Sequence, residues 1–217
     1  MRGVKRCLFL ALVFPAALLA GKSAPGAALI AADEAYDHDV QVNGEWAAAF
    51  HLALPESETF VPQRVKVLEL GEGRSDPPSR RFVPEQAWIS CDGTAGVTYG
   101  RWRLPKTEYR GFYEAVWDKL QNGSFKVLLR RGGTEARALY SKPGRKGARA
   151  TCTGQPGLPI TAPDIGTDFK FGASHDQTLI WSSAVSPKGD VRVVVSLWDG
   201  TRHVPVLIDP APPLNAR

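Results

Sequence analysis

The first 32 residues constrain this chain more than any other feature, because they decide which part of it has to fold at all. Arg2, Lys5 and Arg6 precede an uncharged run from Cys7 to Ala20, and small residues crowd Gly21 to Ala32. Basic, then apolar, then small is the order of a secretory signal peptide. The run holds Pro15 and stops at Lys22, whereas crossing a bilayer takes about 20 apolar residues. The pattern predicts cleavage between residues 20 and 32, with small residues suitably placed at Ala24-Pro25-Gly26 and at Ile30-Ala31-Ala32. The mature protein is then periplasmic or extracellular, with no membrane span left.

Removing the leader changes the charge argument. The whole chain is +5, but residues 1–32 hold four bases and no acid. From Asp33 onward 23 Lys and Arg face 22 Asp and Glu, so the basic character is largely that of the leader. It argues for no nucleic-acid partner. Charge is still unevenly spread. Residues 33–63 carry seven acids and no Lys or Arg, and residues 64–149 carry 18 bases against nine acids. Two readings follow. The acidic stretch packs on the basic one and the fold is electrostatically self-complementary. Or the cluster Arg130, Arg131, Arg137, Lys142, Arg145, Lys146 and Arg149 is a surface for an anionic envelope component or a protein partner.

Cys91 and Cys152 remain after the leader is gone. Two cysteines in an oxidising compartment pair with each other. A bridge closing about 60 residues is worth roughly 4 kcal/mol on the chain-entropy account. The competing reading, Cys91 as a nucleophile, lacks a visible base, and Asp92 beside it disfavours the thiolate.

Frequent Gly and Pro, with short alternating runs between them, predict a mainly β fold: an antiparallel sheet or sandwich over 33–209. Strands are expected over Trp46–Leu54, Arg64–Leu70, Gln86–Ser90 and Val97–Leu104. Tyr109, Phe112, Tyr113, Val116, Trp117 and Leu120 have the spacing of an amphipathic helix, so one is expected over 107–121, packed on the sheet. Phe125–Leu129 and Ala136–Tyr140 read as a hairpin turning at Gly132-Gly133. Gly154–Gly166 is a candidate linker between two lobes. Thr178–Val185, Asp190–Trp198 and Thr201–Ile208 predict a three-stranded antiparallel meander, with Pro205 marking an edge. Residues 210–217 form a Pro-rich tail, and no internal repeat is evident.

The chemistry is sparse. Four histidines, His38, His51, His175 and His203, stand apart. No metal-ligand spacing, cofactor fingerprint or nucleophile elbow is present, so neither metal nor cofactor is expected. Ser174-His175-Asp176 has the letters of a triad, but adjacent residues do not line up as nucleophile, base and orienter. They read as a turn. The function expected is that of a secreted, non-enzymatic binding domain. The alternative is a secreted hydrolase with a site assembled around His51 or His175.

Overall fold

Two antiparallel meanders lie back to back, and a pair of helices covers the far side of the first. The computed structural model describes residues 24–61, 63–70, 76, 79–134, 140–141, 147–158 and 168–209. The chain opens with helices α1 (Ala27–Asn43) and α2 (Glu45–Leu52), then strands β1 (Ala53–Phe60) and β2 (Arg64–Lys66). The first meander is β3 (Arg81–Ile89), β4 (Ala95–Arg103), β5 (Arg110–Lys119) and β6 (Phe125–Thr134). Two short strands, β7 (Tyr140–Ser141) and β8 (Ala148–Arg149), lead to the second: β9 (Asp168–Ala173), β10 (Leu179–Val185), β11 (Val191–Trp198) and β12 (His203–Asp209). The larger sheet runs β2-β1-β6-β5-β4-β3-β8 and the smaller β7-β12-β11-β10-β9.

The mainly β fold, its two sheets and a helix packed on one of them match the expectation, but the helix is a different one. Residues 110–119 form β5, paired with β4 and β6 along its whole length. Both its faces are covered, and Gly111 to Trp117 are all buried. A strand buried on two sides shows no alternation, and a continuous apolar run matches a helical stripe by accident. The preceding Leu104-Pro105-Lys106-Thr107 is a turn, with the Thr107 N–H bonded to the Leu104 carbonyl. Its proline sits second, and Lys106 takes a positive φ of 64° in third place, as a type II turn requires. Asn122-Gly123 is the β5–β6 turn rather than a helix stop; the Asn122 side chain accepts from Ser124.

The real helices lie where a leader and a strand were expected. Leu29, Asp33, Tyr36, Asp37 and Val40 form the buried stripe of α1. Two aspartates on that stripe hide it from any hydrophobic pattern. In α2, expected as a strand, Ala48 and Leu52 face the core, while Trp46 and Ala49 line a cavity. Three successive alanines favour the helix. Gly132-Gly133 is not a turn either. β6 runs straight through it, with Gly132 opposite Tyr113 and Gly133 opposite Phe112. A Cβ on Gly133 would strike the Phe112 ring. The return strand expected over Ala136–Tyr140 lies largely outside the described residues, as does the tail from 210 onward. Tyr140 pairs with β12 in the other sheet, not with β6.

The C-terminal meander stands as expected, with β10, β11 and β12 paired in order. Pro205 sits beside a bulge in β12, where its missing N–H leaves no gap in the ladder. Cys91 and Cys152 are bonded, with Cα atoms 5.2 Å apart. Among the described residues no helix is long and apolar enough to cross a membrane.

A repeat does exist at the level of local geometry. Ser90-Cys91-Asp92-Gly93-Thr94 joins β3 to β4, and Ser174-His175-Asp176-Gln177-Thr178 joins β9 to β10. In each turn the serine hydroxyl donates to the aspartate. In each, the threonine N–H and hydroxyl donate to that same aspartate. The residue after the threonine donates back to the serine Oγ. The two turns then grip each other. Asp92 N–H donates to Asp176 at 2.8 Å and Asp176 N–H to Asp92 at 3.0 Å. Cys91 N–H donates to Thr178 Oγ1, and His175 N–H to Thr94 Oγ1. Burial opposes ionisation of Asp176, but bonds from Ser174, Thr178 and the Asp92 N–H outweigh it and hold the carboxyl below its ordinary range.

Between the sheets lies one apolar core, with Val97, Phe112, Val116 and Leu129 meeting Leu179, Val193, Val195 and Leu207. Among the described residues it holds a charged group made of Arg131, Glu114 and Asp209. Arg131 Nη1 donates to Glu114 Oε1 at 3.0 Å and also pairs with Asp209. Both carboxylates are fully buried. One guanidinium cannot neutralise two of them. Burial pushes Glu114 up to about 7, against the pull of Arg131.

Two predictions follow from this packing. Leu29 of α1 rests directly on Gly96 of β4, where a Cβ would overlap the leucine side chain. Gly96→Ala should therefore cost about 1–3 kcal/mol of unfolding free energy. Gly157→Ala, where a Cβ meets nothing within 4 Å, should stay within about 0.5 kcal/mol of wild type. The second concerns pH. Glu114 binds its proton more tightly folded than unfolded, so the folded state holds more protons between pH 4.5 and 7. The contribution of Glu114 to stability is therefore full below that window and is lost as pH rises through it, by an amount on the order of 2–3 kcal/mol. Urea titrations at pH 5 and pH 7.5 should show this fall in wild type and a flatter profile in Glu114→Gln.

Candidate functional site

Adjacent strand residues point to opposite faces. Arg131 enters the core between the sheets, so Arg130 faces the helices. Its Nη1 donates to Asp33 Oδ1 at 3.1 Å, and Tyr113 donates its hydroxyl to Asp33 Oδ2 at 2.9 Å. Three rings surround the guanidinium carbon: Tyr36 at 4.0 Å, Tyr113 at 4.4 Å and Phe82 at 4.8 Å from their centroids. Nη2 has no hydrogen-bond partner among the described residues; the ring faces stand in for one. Burial disfavours the charge, but Asp33 and the two phenols outweigh it and keep Arg130 protonated beyond its ordinary range. Burial raises Tyr36 to about 12, against the pull of Arg130. Burial, reinforced by Asp33, raises Tyr113 still further. Both phenols stay protonated throughout the physiological range.

A second ion pair lies beside the first. Arg80 presents Nε and Nη2 to the two oxygens of Glu45, the first residue of α2. Its guanidinium lies over Trp102 at 5.0 Å and Phe82 at 5.4 Å. Asp37 accepts from the Phe82 N–H at 2.7 Å and pairs with Arg81. Glu58 holds Arg64 at 3.0 Å. Each of these acids comes from residues 33–63 and each base from 64–149. These four pairs follow the self-complementary reading, whereas Arg131 pairs with Glu114 and Asp209 and Arg101 with Glu85.

Between α1, α2 and the sheet, next to these pairs, is a cavity of about 220 Å³. Tyr36, Trp46, Phe60, Phe82, Trp102 and Tyr113 wall it, and Arg80, Arg130, Arg131 and Glu45 also line it. The Trp102 indole is fixed by donating to the Gly133 carbonyl at 3.1 Å. A second hollow, of about 320 Å³, lies by β8 and β11, between Trp88, Leu197, Trp198 and Val206, with Arg149 and Asp199 at its rim.

The residues singled out in the sequence fare differently. Arg130 and Arg131 are held in interior ion pairs on opposite faces of one strand, not side by side on the surface. Arg149 is exposed, but its Nη1 donates to the Cys91 carbonyl at 2.6 Å. Arg137, Lys142, Arg145 and Lys146 lie outside the described residues. His175 sits in the twin turn and takes part through its backbone N–H, while Ser174 Oγ is used within the turn. His51 does meet a carboxylate, Nδ1 to Asp39 Oδ2 at 2.8 Å, but on the exposed end of α2, away from both hollows. Burial tends to raise Asp39, and bonds from Asn43 and His51 overcome it. No cluster of three His, Cys, Asp or Glu suited to a metal occurs among the described residues.

Sequence reasoning missed Asp33, Tyr36, Glu45, Arg80 and Tyr113. One signal was available. Arg130 interrupts an apolar strand, and a charge there needs a buried partner.

No family model matches the chain, and no curated protein does. Among solved structures, the chain is similar to one described as a putative ketosteroid isomerase from Kribbella flavida DSM 17836. That match has 14% identity and a TM-score of 0.32, and covers 63% of this chain and 93% of the other. A likeness at that level carries no argument about activity.

Proposed function

We propose that the chain is a secreted binding domain that takes a small molecule in the aromatic cavity between its helices and the larger sheet. One observation carries this reading: six aromatic residues line a hollow beside two ion pairs that are already satisfied. Ligand sites are concave, mostly apolar and furnished with a few fixed polar groups. Catalysis asks for a nucleophile or base facing such a hollow. Among the described residues the two histidines considered for that role face neither one. The earlier candidate, a basic surface for an anionic partner, loses Arg130 and Arg131 to the interior and keeps only Arg149 among the described residues.

Secretion rests on the leader pattern and the Cys91–Cys152 bridge. The packing of α1 supports a cut early in that range. Leu29 is fully buried, so cleavage after Ala32 would remove a core side chain, whereas cleavage near Ala24-Pro25-Gly26 spares it. N-terminal sequencing of exported protein should find a start between Gly21 and Ala27. A start at Asp33 would refute this placement.

The cavity reading is tested by binding. Trp46 and Trp102 line the hollow, so a ligand there should change tryptophan fluorescence and raise Tm. Trp102→Leu should weaken binding at least tenfold. Turnover of a bound ester or amide that is lost in His51→Ala would instead establish the hydrolase reading.

A further inference from the structure

Resting on the cavity reading, we infer that the ligand is neutral and planar, has one or two rings, and carries a hydrogen-bond acceptor. Size comes first. A cavity of 150 Å³ suffices for benzene, and this one is about 220 Å³. That admits one ring with substituents or two fused rings. The walls come second. Tyr36, Phe82 and Trp102 are nearly fully buried, and fixed ring faces select a flat partner.

Charge decides between an anion and a neutral molecule. Each guanidinium on the cavity wall already has a carboxylate: Arg80 has Glu45, Arg130 has Asp33, and Arg131 has Glu114 and Asp209. A carboxylate would enter with no counterion of its own, next to Glu45, and lose its hydration. A cation would meet two guanidinium groups that already occupy the ring faces. A neutral molecule meets neither objection.

Polarity then gives the acceptor. Among the phenolic and charged groups on the wall, what is left over is donors, Arg130 Nη2 included. The Tyr36 hydroxyl takes no hydrogen bond among the described residues, and burial keeps it protonated. Arg80 spends Nε and Nη2 on Glu45, which leaves Nη1 over. An acceptor on the ligand satisfies Tyr36, and a ligand without one leaves that donor unmet.

The test uses three probes of nearly equal shape, benzonitrile, toluene and benzoate, with binding followed by tryptophan fluorescence and calorimetry. Benzonitrile should bind more tightly than toluene by about three- to tenfold, and benzoate more weakly than either. Tyr36→Phe keeps the ring beside Arg130. It should reduce benzonitrile to the affinity of toluene while leaving toluene unchanged. Far-ultraviolet circular dichroism and Tm confirm that the variant folds. The nitrile stretch gives an independent readout: it should lie higher in wild type, where the nitrogen accepts a hydrogen bond, than in Tyr36→Phe. Benzoate binding as tightly as benzonitrile, or a nitrile stretch equal in both proteins, overturns the inference and leaves the cavity reading intact. Binding of none of the three, with fluorescence unchanged, overturns the cavity reading itself.

Discussion

The Asp33–Arg130 pair is the interaction on which the helical side of the molecule depends. Arg130 points off the larger sheet, and two of the side chains that meet it, Asp33 and Tyr36, come from α1. A buried guanidinium without a carboxylate would be costly, and so would the carboxylate alone. The pair is therefore less a source of net stability than a constraint on register. It fixes which turn of α1 lies over which strand. Tyr113 adds a second bond to Asp33 from the neighbouring strand. Once α1 is placed, Leu29 falls on Gly96, Asp37 meets the Phe82 N–H, and Glu45 at the start of α2 reaches Arg80. The cavity is the space that remains between these fixed points.

The other side of the sheet is organised by different forces. There the two meanders share an apolar core, and the twin Ser-x-Asp-x-Thr turns clip them together at one end. The bonds within the clasp are local or reciprocal, and Arg149 adds one from outside to the Cys91 carbonyl. The disulfide leaves from Cys91, inside one of these turns, and ties the clasp to the segment that follows β8. Glu114, Arg131 and Asp209 are the exception in this core. Two fully buried carboxylates share one guanidinium there, which makes the contact between the sheets sensitive to protons.

Much of the fold was legible because it rests on local rules. The Asp199-Gly200 and Ser186–Gly189 turns and the alternation between them give β10 to β12 almost residue for residue. The two cysteines in an oxidising context give the bridge. Misreadings came where burial is two-sided or polar. β5 looks helical because nothing on it is exposed until its ends. α1 is invisible because its buried stripe holds Asp33 and Asp37. The twin turns were printed in the chain, but Ser-Cys-Asp-Gly-Thr and Ser-His-Asp-Gln-Thr share only three letters. That is too few to stand out as a repeat until their hydrogen bonds are drawn.

The sequence alone therefore determined fold class, bridge and the opposition of an acidic segment to a basic one. Each depends on residue type and short-range spacing. Only the tertiary structure decided which acid meets which base. Asp33 and Arg130 are 97 residues apart, and no local rule links them. For the same reason it alone turned two adjacent arginines, read as one surface patch, into the anchors of two different interiors. Strand alternation sends them to opposite faces, and what covers each face is set by elements distant in the chain.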